Sequence, residues 1–170
     1  SQGKYEEAAP VYIRSLAIHE KVYGPSHPEV ATALNNWAGL LRDTVRAAEP
    51  LYQRAQETME KSLGRDHPNV ATILNNRAGM LKNQGKYEEA EPLYIRSLAI
   101  DENAYGPDHP EVAAGLNNQA ALFYRQEKYT EALPLLERAL SIRAKCFGEN
   151  HPHTVETRNN LELVRKEVRA

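Results

Sequence analysis

The sequence predicts an all-α fold, an array of antiparallel helix pairs, and three observations predict it. A frame of Gly, His-Pro and Asn-Asn recurs four times: Gly24, His27-Pro28 and Asn35-Asn36; Gly64, His67-Pro68 and Asn75-Asn76; Gly106, His109-Pro110 and Asn117-Asn118; Gly148, His151-Pro152 and Asn159-Asn160. Successive glycines lie 40, 42 and 42 residues apart. Self-similarity at such a period marks a solenoid, whose units bury their apolar faces only by stacking on their neighbours. Between the frames, apolar residues recur at the three- and four-residue spacing of helices. The chain therefore reads as a single array over residues 1–170, with a half repeat at 1–24, repeats at about 25–64, 65–106 and 107–148, and a C-terminal helix at 149–170.

The half repeat is a second helix without its first. Gly3-Lys4-Tyr5-Glu6-Glu7-Ala8 aligns with Gly85-Lys86-Tyr87-Glu88-Glu89-Ala90, so the chain begins in the middle of a unit and is expected to be an excised fragment. The stretches Gly3 to Asn36 and Gly85 to Asn118 are both 34 residues long and identical at 26 positions, which points to recent internal duplication.

In each full unit the proline of His-Pro opens the first helix, since proline lacks only an N–H that would be unpaired there. The cap is either the polar residue before each histidine (Ser26, Asp66, Asp108, Asn150) or the histidine itself. In the unit at 65–106, Ala71, Leu74, Ala78 and Leu81 form one apolar stripe, widened by Ile73 and Met80. The turn Asn83-Gln84-Gly85-Lys86 ends this helix, because glycine readily takes the left-handed conformation. The second helix runs from Tyr87 to just before Gly106, about 28 Å, with Tyr87, Ala90, Tyr94, Leu98 and Ala104 on its packing side and Glu88, Glu89 and Glu91 favouring its N-terminal dipole. Pro10, Pro50, Pro92 and Pro134 fall about one turn inside the second helices, where each removes a backbone hydrogen bond.

One unit is irregular. Aligning residues 41–50 with the copy that ends at Pro92 shows that the Gly-Lys of the turn is missing. Two readings follow: a tight turn keeps the array regular, or the flanking helices fuse into one rod over about 28–63. The fused form would open a gap for a partner chain and make a homodimer through residues 41–50.

With 21 basic and 23 acidic side chains the net charge is -2, which supplies no general pull toward nucleic acid or anionic membrane. No run of apolar residues is long enough to span a bilayer, and the single Cys146 forms no internal disulfide, which suits a reducing, cytoplasmic setting. Each His-Pro histidine belongs to a different unit, so no metal site is expected. The repeated carboxylate pairs coincide with helix starts, Cys146 has no evident base, and no phosphate-binding loop or dinucleotide fingerprint occurs. The expectation is a non-enzymatic protein without cofactor, acting on neither nucleic acid nor membrane.

Ala78, Leu81, Gly85, Tyr87, Ala90 and Tyr94 follow the small, large, turn, aromatic, small, aromatic order of the tetratricopeptide repeat (TPR). The longer period and the words LNN, GKYEEAEPLY and YGPDHPEVA resemble the kinesin light chain type of that repeat over essentially the whole chain. The position after the paired asparagines departs from the usual leucine at Trp37, Arg77 and Gln119 and keeps it at Leu161. The resemblance implies a right-handed α-solenoid and a peptide- or protein-binding scaffold. It also leaves open two parent contexts, a motor adaptor or a ligand sensor fused to an NB-ARC nucleotide switch, and a structural reading in which the array serves oligomerisation.

In such arrays the first helices line the concave groove. Thr72, Asn75, Gly79 and Lys82 are spaced 3, 4 and 3 on one face offset from the apolar stripe. Their counterparts are Thr32, Asn35, Gly39 and Arg42 in the preceding unit, Asn117, Ala121, Tyr124 and Arg125 in the following one, and Asn159 in the last copy. Asparagine carboxamides can pair with the backbone of an extended peptide, or can bond between adjacent helices and set their stacking. Gly39 and Gly79 leave room for ligand side chains, while Arg42, Lys82 and Arg125 point to an acidic segment.

Overall fold

The computed structural model describes the backbone of residues 2–41 and 45–169, and side chains from Pro10 to Leu41 and Ala47 to Arg169. Among these residues the chain forms eight helices: α1 (Gln2–Tyr23), α2 (Pro28–Leu40), α3 (Val45–Leu63), α4 (Pro68–Asn83), α5 (Tyr87–Tyr105), α6 (Pro110–Arg125), α7 (Tyr129–Phe147) and α8 (Pro152–Arg169). They divide into two compact units, Ser1–Met80 and Leu81–Ala170, with the boundary inside α4.

In the first unit, α2 packs antiparallel on α3. Ser62 Oγ reaches the carbonyl of Ser26 at one end of the pair, and Gly39 lies beside the Tyr52 hydroxyl at the other. The core runs through Val30, Ala31, Leu34, Ala38 and Leu41 of one side and Ala48, Tyr52, Ala55 and Met59 of the other. In the second unit, Val112, Ala113 and Leu116 of α6 pack on Ala139 and Ile142 of α7. Ala120, Ala132 and Leu136 then join Leu161 and Val164 of α8. The predicted stripe Ala71, Leu74, Ala78 and Leu81 is buried throughout, with Ile73 and Met80. On α5, Ala90 and Tyr94 are buried and Tyr87 and Leu98 half-buried, but Ala104, expected on the packing side, is exposed.

The histidines themselves cap the first helices. Nδ1 of His27, His67, His109 and His151 accepts the N–H two residues on, from Glu29, Asn69, Glu111 and His153, at 3.1–3.3 Å. Three of the rings also stack on the aromatic residue that ends the previous helix, Tyr23 at 4.8 Å, Tyr105 at 4.6 Å and Phe147 at 4.6 Å.

The fused rod does not form. Leu41 closes α2, its N–H bonding to the carbonyls of Ala38 and Trp37, and α3 folds back along it. α2 has 13 residues where α4 and α6 have 16, so the deletion is absorbed by the last turn of α2. Val45 starts α3 in the register of Tyr87. Burying Leu34, Ala38 and Leu41 against α3 of the same chain favours the antiparallel pair over an unpartnered rod by several kcal/mol, at about 1.5–3 per large side chain. Residues 42–44, on which the expected homodimer contact at 41–50 partly rests, lie outside the described residues.

Candidate functional site

The predicted groove residues fall into two groups. In the first unit they are largely engaged. Thr32 and Thr72 turn their hydroxyls back to the carbonyls of Pro28 and Pro68, at 3.1 and 3.4 Å. Asn35 is buried, and its Oδ1 accepts from Nδ2 of Asn76 across α2 and α4 at 3.1 Å. A Cβ on Gly39 would meet the Tyr52 hydroxyl at 3.6 Å, so this glycine borders the partner helix. Asn75 and Gly79 are half-buried on α4. Arg42 lies outside the described residues.

In the second unit, Lys82, Asn117, Ala121, Tyr124 and Arg125 converge on one cleft of about 290 Å³, completed by Asn83, Leu136 and, from α8, Asn160, Leu163 and Val164. Asn159 is exposed and does not line the cleft; its neighbour Asn160 does. The same diagonal holds in the first unit, where the first asparagine of one copy faces the second asparagine of the next. The doubling of the asparagine in every copy carries that signal. Spacing along a single helix does not, since it ranks faces within a helix and is blind to stagger between helices.

Two features give the cleft its chemistry. Lys82 is half-buried, and its ammonium is held below the ordinary lysine value by burial and then by the Arg125 guanidinium. Among the described residues neither cation pairs with a carboxylate, whereas the lysines and arginines elsewhere commonly do, as in Arg138 with Glu102 at 2.6 Å and Arg165 with Glu137 at 2.8 Å. The second feature is Asn117. Its Nδ2 donates to the Ala113 carbonyl at 2.9 Å and to Thr157 Oγ1 at 3.3 Å, which leaves its buried Oδ1 without a donor. An unpaired buried acceptor is costly and is met by a ligand N–H or by water. The arrangement can hold a carboxylate on the cations and a donor on Asn117, with Leu163 and Tyr124 as apolar walls.

Among the described residues no helix is long and apolar enough to cross a membrane, and no three His, Cys, Asp or Glu side chains gather where they would hold a metal ion.

Comparison with known proteins agrees with this architecture. Tetratricopeptide repeat models match residues 1–44, 69–145 and 111–167, and a second one matches 30–69. No curated protein matches the chain. Among solved structures, BtubC (BKLC) from P. vanneervenii superimposes with a TM-score of 0.87 at 26% identity, over 98% of this chain and 67% of that one. The nearly identical TPR-like repeats of a kinesin light chain candidate from Podosopora anserina do so with 0.80 at 22% identity, over 98% and 80%. A single-substitution variant of that protein gives 0.81. Repeated frame, paired helices and matched models agree over nearly the whole length, and the chain belongs to the tetratricopeptide repeat family, with kinesin light chain-like repeat proteins as its structural neighbours.

Proposed function

We propose that this array is a protein-interaction scaffold that holds an acidic segment of a partner protein in the cleft between α4, α6 and α8. Tetratricopeptide repeats generally mediate protein–protein interaction, and the observation that carries the finer reading is the juxtaposition of Lys82 and Arg125 without a carboxylate partner. Placing the half-buried Lys82 ammonium near the exposed Arg125 guanidinium is unfavourable unless an anion joins them, because partial burial strengthens both the repulsion and the later attraction. Asn117 Oδ1 adds an acceptor for one main-chain N–H of the bound segment, so the cleft reads an extended backbone and a side-chain carboxylate together.

The test is fluorescence anisotropy with three labelled twelve-residue peptides that differ only in carrying Glu, Gln or Lys at alternate positions. The Glu peptide binds most tightly, its affinity falls with salt, and the double substitution Lys82→Gln with Arg125→Gln weakens it by about tenfold or more, the loss of one to two charge-assisted bonds. Equal binding of the Glu and Gln peptides, or no response to the double substitution, would remove the reading.

A further inference from the structure

The cleft changes charge from α4 to α8. On α8 it is lined by Asn160, Leu163 and Val164, and at about 100° per residue Glu167 lies on the same face one turn further on. Lys166 is turned about 100° away from it and is exposed. Glu167 is half-buried and has no ion-pair partner among the described residues. Its repeat position fixes what it faces. Lys82 of α4 meets Arg125 of α6, and one repeat later the same two positions hold Tyr124 and Glu167. The Tyr124 ring stands 5.4 Å from that of Tyr129, tilted by 60°. The Tyr129 phenol is held above its ordinary value by partial burial first, then by Glu167, Glu127 and Tyr124. The α4–α6 seam therefore carries two cations, and the α6–α8 seam two aromatic rings beside two carboxylates. The openness of the second seam belongs to the repeat: Lys82 and Tyr87, the counterparts of Tyr124 and Tyr129 in the unit that α6 and α7 follow, are also half-buried.

We propose that the segment held in this cleft is dipolar, and that a basic side chain about three residues from its carboxylate seats between the Tyr124 ring and the Glu167 carboxylate. This second subsite rests on the acidic-segment reading above and adds one charge of opposite sign to it. Packed helices stand about 10 Å apart and an extended chain advances about 3.3 Å per residue. A backbone that crosses from α4 and α6 to α8 thus brings the third residue beyond its acid to the second seam. Lysine or arginine suits that seam twice over, since a carboxylate offers a charge-assisted bond and an aromatic face attracts a cation.

Neighbouring cations of the chain are directed elsewhere. Lys128, next in sequence to Glu127, lies over the Phe123 ring at 5.7 Å, and Arg165 bonds Glu137 at 2.8 Å. A uniformly acidic segment is accordingly not the best occupant: its carboxylates satisfy Lys82 and Arg125 but are repelled by Glu167 and Glu127. Orientation follows as well, with the acidic end of the segment toward α4 and the basic end toward α8.

The experiment is fluorescence anisotropy on the full chain with fluorescein-labelled peptides built on Glu-Ala-Glu-Ala-Ala-X, where X is Lys, Gln or Glu, each also made in reversed order so that both chain directions are sampled. In one order the Lys peptide should bind about fivefold or more tighter than the Gln peptide, and the Glu peptide more weakly than either. Glu167→Gln should erase the advantage of Lys and leave the affinity of the Gln peptide as it was, which also shows that the variant is folded. Glu167→Lys should turn the preference toward the Glu peptide. Equal affinities of the Lys and Gln peptides in both orders, or an advantage of Lys that survives Glu167→Gln, would overturn the proposal. If Lys82→Gln with Arg125→Gln still weakened all three peptides in that case, the acidic-segment reading would stand without the second subsite. Failure of every peptide to bind would remove both.

Discussion

Nδ2 of Asn76 donates to Oδ1 of Asn35 at 3.1 Å, one carboxamide bonding to another across α2 and α4. The matching pair in the second unit, Asn117 and Asn160, shares a cleft, yet the Asn117 oxygen lacks a donor. One sequence element therefore sets helix stacking at one position and presents an open acceptor at another. Thr157 on α8 takes the Asn117 amide and holds its carboxamide in place, with the oxygen left over.

Asn35→Ala is expected to destabilise the protein by about 1–2 kcal/mol, since it removes a largely buried hydrogen bond. Urea denaturation followed by circular dichroism measures it. Asn76→Ala should cost less, because the asparagine it removes is exposed, and the double substitution should cost less than the sum of the two. Additive losses would mean the bond contributes nothing.

His109→Ala should lower stability by about 1 kcal/mol through loss of the N-cap, while His109→Asn or His109→Asp should recover most of it, as those side chains accept from the same backbone N–H. Thermal melts of the three variants decide this. If Asn and Asp were as destabilising as Ala, the stacking of His109 on Tyr105 would be the dominant contribution instead.

The repeat frame and helix registers were legible because glycine, His-Pro and the apolar stripe are local signals that recur in every copy. The cleft was legible only in part. Lys82, Asn117, Ala121, Tyr124 and Arg125 share a face that helical spacing identifies, whereas Asn160 enters from the next copy and depends on stagger, which no single-helix pattern encodes. Residues 41–50 were ambiguous for a related reason: a missing glycine removes a stop signal, but the choice of turn over rod is made by burial of Leu34, Ala38 and Leu41 against α3.

Glu127 occupies the turn position of Gly85, and both take left-handed backbone, with φ of 60° and 76°. A side chain there is disfavoured by about 1 kcal/mol. Glu127→Gly is thus expected to stabilise by about 0.5–1 kcal/mol, the relief of strain exceeding the added freedom of the unfolded chain. Gly85→Ala should destabilise by a similar amount. A melting temperature unchanged in both variants would show that the turn relaxes at no cost.

Burial of Arg143 gives α8 its anchor. The guanidinium donates to the His153 carbonyl at 2.9 Å and to Thr157 Oγ1 at 2.7 Å, and Thr157 is the residue that also receives the Asn117 amide. Arg143→Met keeps the volume but removes the charge-assisted bonds to the His153 carbonyl and Thr157 Oγ1, for a loss of about 1–3 kcal/mol. Hydrogen exchange should show the loss first in α8, and the acidic peptide should bind more weakly, because Asn117 is no longer held. Protection in α8 equal to the parent's would contradict this.

Asp101 stands at the same repeat position as Arg143 but faces α6 with the wrong sign. Its carboxyl is pushed up to about 6, chiefly by burial and then by Glu111, against a smaller opposing effect of His109. A raised carboxyl means the folded protein binds this proton more tightly than the unfolded chain, whose value is near 3.8. Stability from this group is therefore greatest below about pH 4 and declines as pH rises to about 6, where the folded carboxyl ionises. The site is half open to solvent, which screens the charge, so the expected penalty at pH 7 is of order 1 kcal/mol rather than the full value of the shift. Asp101→Asn should raise the unfolding free energy at pH 7 by about that amount and leave it unchanged at pH 4, as read from urea titrations at the two values. A variant that is equally stabilised at both would place its effect in packing or helix propensity and not in the ionised carboxyl.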